Sequence, residues 1–279
     1  VYLDILRNNN IFWLGSVLDG QGPLYWDGLG GNGGRTKPKF IKISASDGSE
    51  ITNINVLNCP VHCVSIGNSH GLTISGWEID VSAGDIGGGH NTDGFDISSS
   101  SNVVLKDSIV RNQDDCVAVN QGSDFTFSGL YCSGSHGLSL SVGMSLTSPE
   151  ANTVTNVVFS NCTVVNSENG IHVKTHTYAT TGYVKNVTYR NIILSGISNY
   201  GINIQEDYDN GGATGIPRDN IPVTDLKLID VRGTVASNAM PVYILCGENG
   251  CADWTWSGVS VSGGSKSSSC NFTPNGYTC

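Results

Sequence analysis

Short runs in which apolar and polar residues alternate recur along most of the chain, at 51–58, 72–80, 103–110, 125–132, 154–161, 184–191, 223–230 and 254–261. Alternation with a period of two predicts strands with one buried face. The runs start about 20 to 40 residues apart, a spacing typical of repeat architectures. Between most of them sits a second, shorter run, at 63–66, 95–98, 116–119, 137–141, 170–174, 201–205 and 242–245. Paired strands separated by Gly and Asn, without helical periodicity, describe a chain that coils so that each strand pairs in parallel with its equivalent one turn later. The expected fold is all-β, a right-handed parallel β-helix of about eight coils. Asn at strand ends suits left-handed turns and predicts side-chain ladders between coils. A β-sandwich is the structural rival. It needs a hairpin grammar, yet only Asn169-Gly170 and Asn249-Gly250 have strand-like runs close on both sides.

Composition supports the all-β reading, because 36 Gly with little Lys, Glu or Leu disfavours long helices. A formal charge of −10 sets the field against nucleic acid and anionic membrane surfaces as partners. No apolar run approaches the length of a membrane span, and the first seven residues lack a signal-peptide pattern. The nine Cys include the close pairs Cys59/Cys63, Cys246/Cys251 and Cys270/Cys279. No Cys pair has partner His at metal-site spacing, which favours disulfides over a metal site. Sequons at Asn161, Asn186 and Asn271 point the same way, to a secreted glycoprotein.

Carboxylates gather where two successive short runs begin. Asp93 leads into 95–98, Asp114 and Asp115 lead into 116–119, His136 leads into 137–141, and Lys174 closes the run after that. Equivalent positions on adjacent coils lie about 4.8 Å apart, so these groups converge on one patch. Crowded carboxylates repel unless they share a proton or a ligand. Such a cluster raises one carboxyl and keeps another ionised, which supplies the acid and the base of glycosidic bond hydrolysis. A calcium site is the competing reading of the three Asp, but His136 and Lys174 are poor company for a hard cation.

In that order and spacing, Asn91-Thr92-Asp93, Gln113-Asp114-Asp115, His136-Gly137 and the Lys of Ile171-His172-Val173-Lys174 resemble the motifs of the polygalacturonases, the pectin-degrading glycoside hydrolases of family 28. The resemblance runs from about residue 26 to the C-terminus. It implies a parallel β-helix and inverting hydrolysis of α-1,4 bonds between galacturonate units, with 1–279 as one catalytic domain lacking part of the family's usual N-terminal cap. It implies no metal or cofactor and a polygalacturonate or pectin substrate; endo action is expected because nothing in the chain reads as a long insertion closing the cleft end, and a secreted monomer is expected. Asp114 would be the general acid, and Asp93 with Asp115 the pair that positions and deprotonates water. His136 would tune the acid, Asn91 would support the cluster, Lys174 would bind a galacturonate carboxylate, and Tyr208 would line the cleft beside the bond to be cut. Cys116–Cys132, Cys246–Cys251 and Cys270–Cys279 would be the family's disulfides, leaving Cys59 and Cys63 free to pair and Cys162 alone.

Two residues depart from the family pattern: Ser135 replaces the first Gly of Gly-His-Gly, and His172 replaces the Arg of Arg-Ile-Lys. Losing a guanidinium removes a permanent carboxylate anchor. His172 could still hold galacturonate when protonated, which predicts weakened binding or activity biased to acidic pH. Lys174, His136, His172 and Arg218 are the candidate local cations for an acidic polymer on an acidic protein. Asp96 is expected to face solvent or join a ladder, and His62, His70, His90 and His176 to sit at the surface or in turns, His90 nearest substrate. Trp254 and Trp256 are expected to cover the end of the core. The rival functions are a silent relative that binds pectin fragments or an inhibitor protein, a hydrolase of a substituted galacturonan, and a calcium-dependent lyase, for which no arginine base can be placed.

Overall fold

The computed structural model describes residues 3–6, 10–12, 15–46, 48–210 and 212–279. Its strands stack in parallel as a right-handed β-helix. One sheet carries ten successive rungs: Leu3–Leu6, Ile41–Ser44, Val64–Gly67, Phe95–Ser98, Val117–Val119, Leu138–Val142, Asn169–His176, Tyr200–Asp209, Met240–Leu245 and Ser269–Cys270. These ten rungs exceed the expected eight coils. A short strand, Gly212–Ala213, pairs antiparallel with Tyr200–Asp209 at one edge. The second, 16-stranded sheet wraps the remaining sides, and the long strands Thr153–Val165, Tyr183–Ile197 and Val223–Val235 run around the corner between them.

Register explains why so polar a chain has a dry core. Along the first sheet Ile41, Val64, Phe95, Val117, Leu138 and Ile171 stack in one inward column, and Ile43, Ile66, Ile97, Val119, Leu140 and Val173 in another. All are essentially inaccessible to water. Phe127, Phe159 and Tyr189 form an inward aromatic stack, with ring centroids 4.5 and 4.7 Å apart. Trp254 and Trp256 are buried at the C-terminal end, against Phe272 and Tyr277 respectively.

The corners are Asn and Asp in the left-handed region, as the strand-end asparagines led one to expect. Asn102, Asp124, Asn156, Asn186 and Asp225 occupy equivalent corners with φ between 53° and 61°. Asn186 Nδ2 donates to Asn156 Oδ1 at 2.8 Å, and Asn156 Nδ2 to Asp124 Oδ1 at 2.8 Å. At another corner Asn191 Nδ2 donates to Asn161 Oδ1 at 2.7 Å. A short polar side chain tolerates this backbone and satisfies its neighbour one rung away. Cys59–Cys63, Cys116–Cys132, Cys246–Cys251 and Cys270–Cys279 are bonded, and Cys162 is free and buried.

Candidate active site

The outward face of the first sheet floors an open cleft of ≈ 1190 Å³. Asn91, Asp93, Asp114, Asp115, His136, His172, Lys174 and Tyr208, all eight residues singled out from sequence, line it. The register brings them together. Phe95, Val117 and Leu138 are mutual partners across three rungs, and Asp93, Asp115 and His136 each stand two residues before them. Residues spread over 44 positions thereby occupy neighbouring rungs about 4.8 Å apart. Cys116, bonded to Cys132 on the next rung, anchors the acidic pair at its strand entry. Buried Asn112 ties the main chain together, its Nδ2 donating to the carbonyls of Thr92, Asp114 and Asp115 at 2.9 to 3.0 Å.

Each acid has its own environment. Asp114 accepts from Asn91 Nδ2 at 3.0 Å and from the Asp115 backbone N–H at 2.7 Å, and its Oδ1 lies 3.1 Å from His136 Nδ1. Asp115 accepts from Ser139 Oγ at 2.5 Å and from Lys174 Nζ at 3.0 Å. Lys174 Nζ also sits 5.1 Å from the centre of the Tyr208 ring. Asp93 has His62 Nε2 at 3.9 Å, and His62 Nδ1 pairs with Asp96 at 2.5 Å. The far nitrogen of His136 reaches Glu168 at 3.2 Å. Donor atoms of His62, Asp93 and Asp96 lie within 4.8 Å of one another, as do those of Asp114, Asp115 and His136. Lys174 and His136 already place positive charge against the second group, so it is balanced by the protein's own cations.

The family model "Glycosyl hydrolases family 28" matches residues 3–279. The chain belongs to that family. It is 55% identical over 271 residues to a polygalacturonase of Phaedon cochleariae, covering 95% of this chain and 73% of that protein. It is 49% identical over 266 residues to endopolygalacturonase I of Aspergillus niger, covering 95% and 71%. Among solved structures, endopolygalacturonase I from Stereum purpureum, complexed with two galacturonates, matches with a TM-score of 0.83 and 35% identity over 95% of this chain and 78% of that one. An endo-xylogalacturonan hydrolase from Aspergillus tubingensis shares the fold, with a TM-score of 0.76 and 24% identity, over 100% of this chain and 79% of that one.

In this glycoside hydrolase the three carboxylates are held apart electrostatically. Burial, joined by the charges of Asp114, Asp96 and Asp115, pushes Asp93 well above the usual carboxylate range. Burial also opposes ionisation of Asp114, but the hydrogen bond and charge of His136, with Lys174, outweigh it and hold the group low. Asp115 is raised, burial prevailing over the attraction of Lys174. Against its own burial, His136 is pushed up to about 9 by Asp114, Asp115 and Glu168. Asp114 and His136 therefore share one proton as an ion pair across the neutral range.

The two departures from the family pattern have different outcomes. Ser135 is buried and bonded: its Oγ meets Ser167 Oγ at 3.0 Å and accepts from the Gly137 N–H at 3.2 Å. Gly137, with φ 102° and Asn169 O only 2.6 Å from where a Cβ would stand, remains obligatory. His172 does not behave as a replacement cation. It is only 7% exposed, and burial together with the charges of Lys174 and His136 drives it well below its ordinary value. The acid bias expected from His172 titrating near pH 6.5 loses its basis, because burial in a positive field was invisible in one dimension.

Three further expectations, for Asp96, His176 and Arg218, are corrected. Asp96 does face outward, between inward Phe95 and Ile97, but that face is the cleft, where Asp96 is largely covered and paired with His62. His62 is in a turn as expected, on the loop closed by Cys59–Cys63, half-buried in the wall beside Asp93. His176 is not at the surface: it is 1% exposed, edge-on to the Tyr208 ring at 5.0 Å, with its value lowered by burial to about 4. Arg218 is exposed and does not line the cleft. Sequence reasoning missed Asn112, Ser139 and Glu168. Ser139 could have been found by counting register, since it stands one rung before His172.

Proposed function

We propose that this family 28 hydrolase cuts α-1,4 bonds between galacturonate units of pectate by a single displacement with inversion, outside the cell and as a monomer. The chain is an endo-polygalacturonase, and the open cleft suits attack within a polymer. The observation that carries the residue assignment is the convergence of Asp93, Asp114 and Asp115 on adjacent rungs, with His136 and Lys174 against them.

In the proposed step Asp114 delivers a proton to the leaving glycosidic oxygen. Water, held by Asp93 and Asp115, attacks the anomeric carbon from the opposite face and gives up its proton to that pair. The proton for the leaving group comes from the Asp114–His136 ion pair. Substrate binding that dehydrates this pair favours its neutral form, with the proton on the carboxyl. Asn91 orients Asp114 through the 3.0 Å bond. Lys174 fixes Asp115 and presents the charge that receives a galacturonate carboxylate, and Tyr208 packs beside the bond to be cut.

The direct test incubates the protein with polygalacturonate plus chelator, and in parallel with calcium. New reducing ends without ultraviolet absorbance from unsaturated products are expected in both. Absorbance that depends on calcium would make it a lyase, and neither signal would make it a binder.

A further inference from the structure

We propose that the cleft is adapted to partly methyl-esterified galacturonan, with His172 receiving the uncharged ester of a sugar bound on the floor of the site. The inference rests on the polygalacturonase reading and narrows its substrate class. Three observations converge on it.

The first is the histidine itself. His172 lines the cleft floor, is more than nine-tenths buried, and neither of its ring nitrogens has a hydrogen-bond partner. Buried polar atoms without partners are rare in folded proteins and mark places where something else completes the bonding. A neutral imidazole carries one N–H donor and one acceptor. The donor can serve the carbonyl oxygen of an ester as well as it serves an acid, whereas an ionised carboxylate set there would lie in a desolvated site without the fixed charge a guanidinium supplies. Burial and the neighbouring positive charges disfavour protonation of the ring.

The second is the charge balance of the cleft. Asp93, Asp96, Asp114, Asp115 and Glu168 line it, against Lys39, Lys42, Lys174 and His136. Lys174 is engaged by Asp115, and His136 is shared between Asp114 and Glu168. On a protein of net charge −10, a fully ionised polymer meets a repulsive field. Each methyl ester removes one negative charge from the ligand. The third is apolar surface: Met144 and Leu146, 55% and 66% exposed, line the same cleft. Transfer of ester methyl groups from water onto such a wall is favourable.

The experiment measures kcat/KM on polygalacturonate and on pectins of graded methyl esterification, and sequences the product oligosaccharides by mass spectrometry. The native protein is expected to cut intermediate-ester pectin at least as fast as polygalacturonate, and to leave an ester on one sugar next to the cut. His172→Arg is expected to reverse the preference, lowering the ester-to-acid ratio of kcat/KM about tenfold. His172→Gln, neutral and still able to donate and accept, is expected to hold the ratio within about twofold. If His172→Arg fails to fold, the product sequences from the native protein and the His172→Gln ratio decide. Products from the native protein without esters beside the cut, or a ratio unmoved in His172→Arg, would overturn the proposal. Failure of the native protein on polygalacturonate and pectin alike would overturn the underlying activity, a distinguishable result.

Discussion

His136 stands with Nδ1 3.1 Å from Asp114 and Nε2 3.2 Å from Glu168, so one imidazole bridges a buried carboxylate and an exposed one. The bridge fixes where the catalytic proton is stored, and it sets the upper end of the pH range. With His136 pushed up to about 9, the shared proton survives well past neutrality. The alkaline limb of kcat/KM is expected near pH 9, since that profile reports the free enzyme's essential acid. His136→Gln should pull the limb down by about two units or more and cut kcat about 10²-fold. Glu168→Gln should move it by only a fraction of a unit. The sign for stability is the same: the contribution of the protonated His136 is full below about 6.5 and is lost as pH rises through about 9, whereas that of ionised Asp114 is full above about 3.8 and is lost as pH falls further.

Asp93 and Asp115 predict opposite stability effects. Asp93 is raised well above its ordinary 3.8, so its ionisation opposes folding at neutral pH. Asp93→Asn is expected to raise the melting temperature at pH 7 by about 2–4 °C while abolishing turnover. Asp115→Asn also abolishes turnover, but it strands the buried ammonium of Lys174 and should cost about 3 kcal/mol in denaturant unfolding. Parallel calorimetry and reducing-end assays separate the two.

Tyr208 owes its position to a neighbour that does not face the reacting atoms. The buried ring of His176 meets it edge-on at 5.0 Å and touches Ser141 Oγ at 3.3 Å. His176→Ala should raise KM several-fold with a smaller change in kcat, because the aromatic loses its support and the acids keep theirs. Steady-state kinetics on defined oligogalacturonides read the split.

Of the four disulfides, Cys116–Cys132 closes the widest loop, 16 residues apart, and it pins the strand entry that carries Asp114 and Asp115. Loop-closure entropy assigns it about 3 kcal/mol. The double variant Cys116→Ser with Cys132→Ser should lose about that much stability and also lose turnover. Removing Cys270–Cys279, far from the cleft, should leave kcat near the native value.

The fold and the acids could be read from the chain for one physical reason: in a solenoid, sequence period becomes spatial adjacency. Phe95, Val117 and Leu138 announce their register by alternation, and Asp93 and Asp115 ride two residues ahead of that pattern. Side-chain environment is not periodic, and it stayed hidden. Asp96 and His62 come from neighbouring rungs, and only the turn of Cys59–Cys63 swings the imidazole onto the carboxylate. His172 reads as a cation in one dimension. Burial, with the charges of Lys174 and His136, disfavours that cation. The last rung, Ser269–Cys270, is too short to show a period.

The stereochemistry of the first product tests the central claim most directly. Proton NMR, recorded immediately after adding the protein to polygalacturonate in deuterated buffer with chelator, reads the anomer at the newly formed reducing end before mutarotation. The arrangement of an acid at Asp114 opposite water held by Asp93 and Asp115 predicts the β-anomer first, with the α-anomer growing in later. Initial release of the α-anomer would mean a covalent intermediate on one of these carboxylates and would contradict the account.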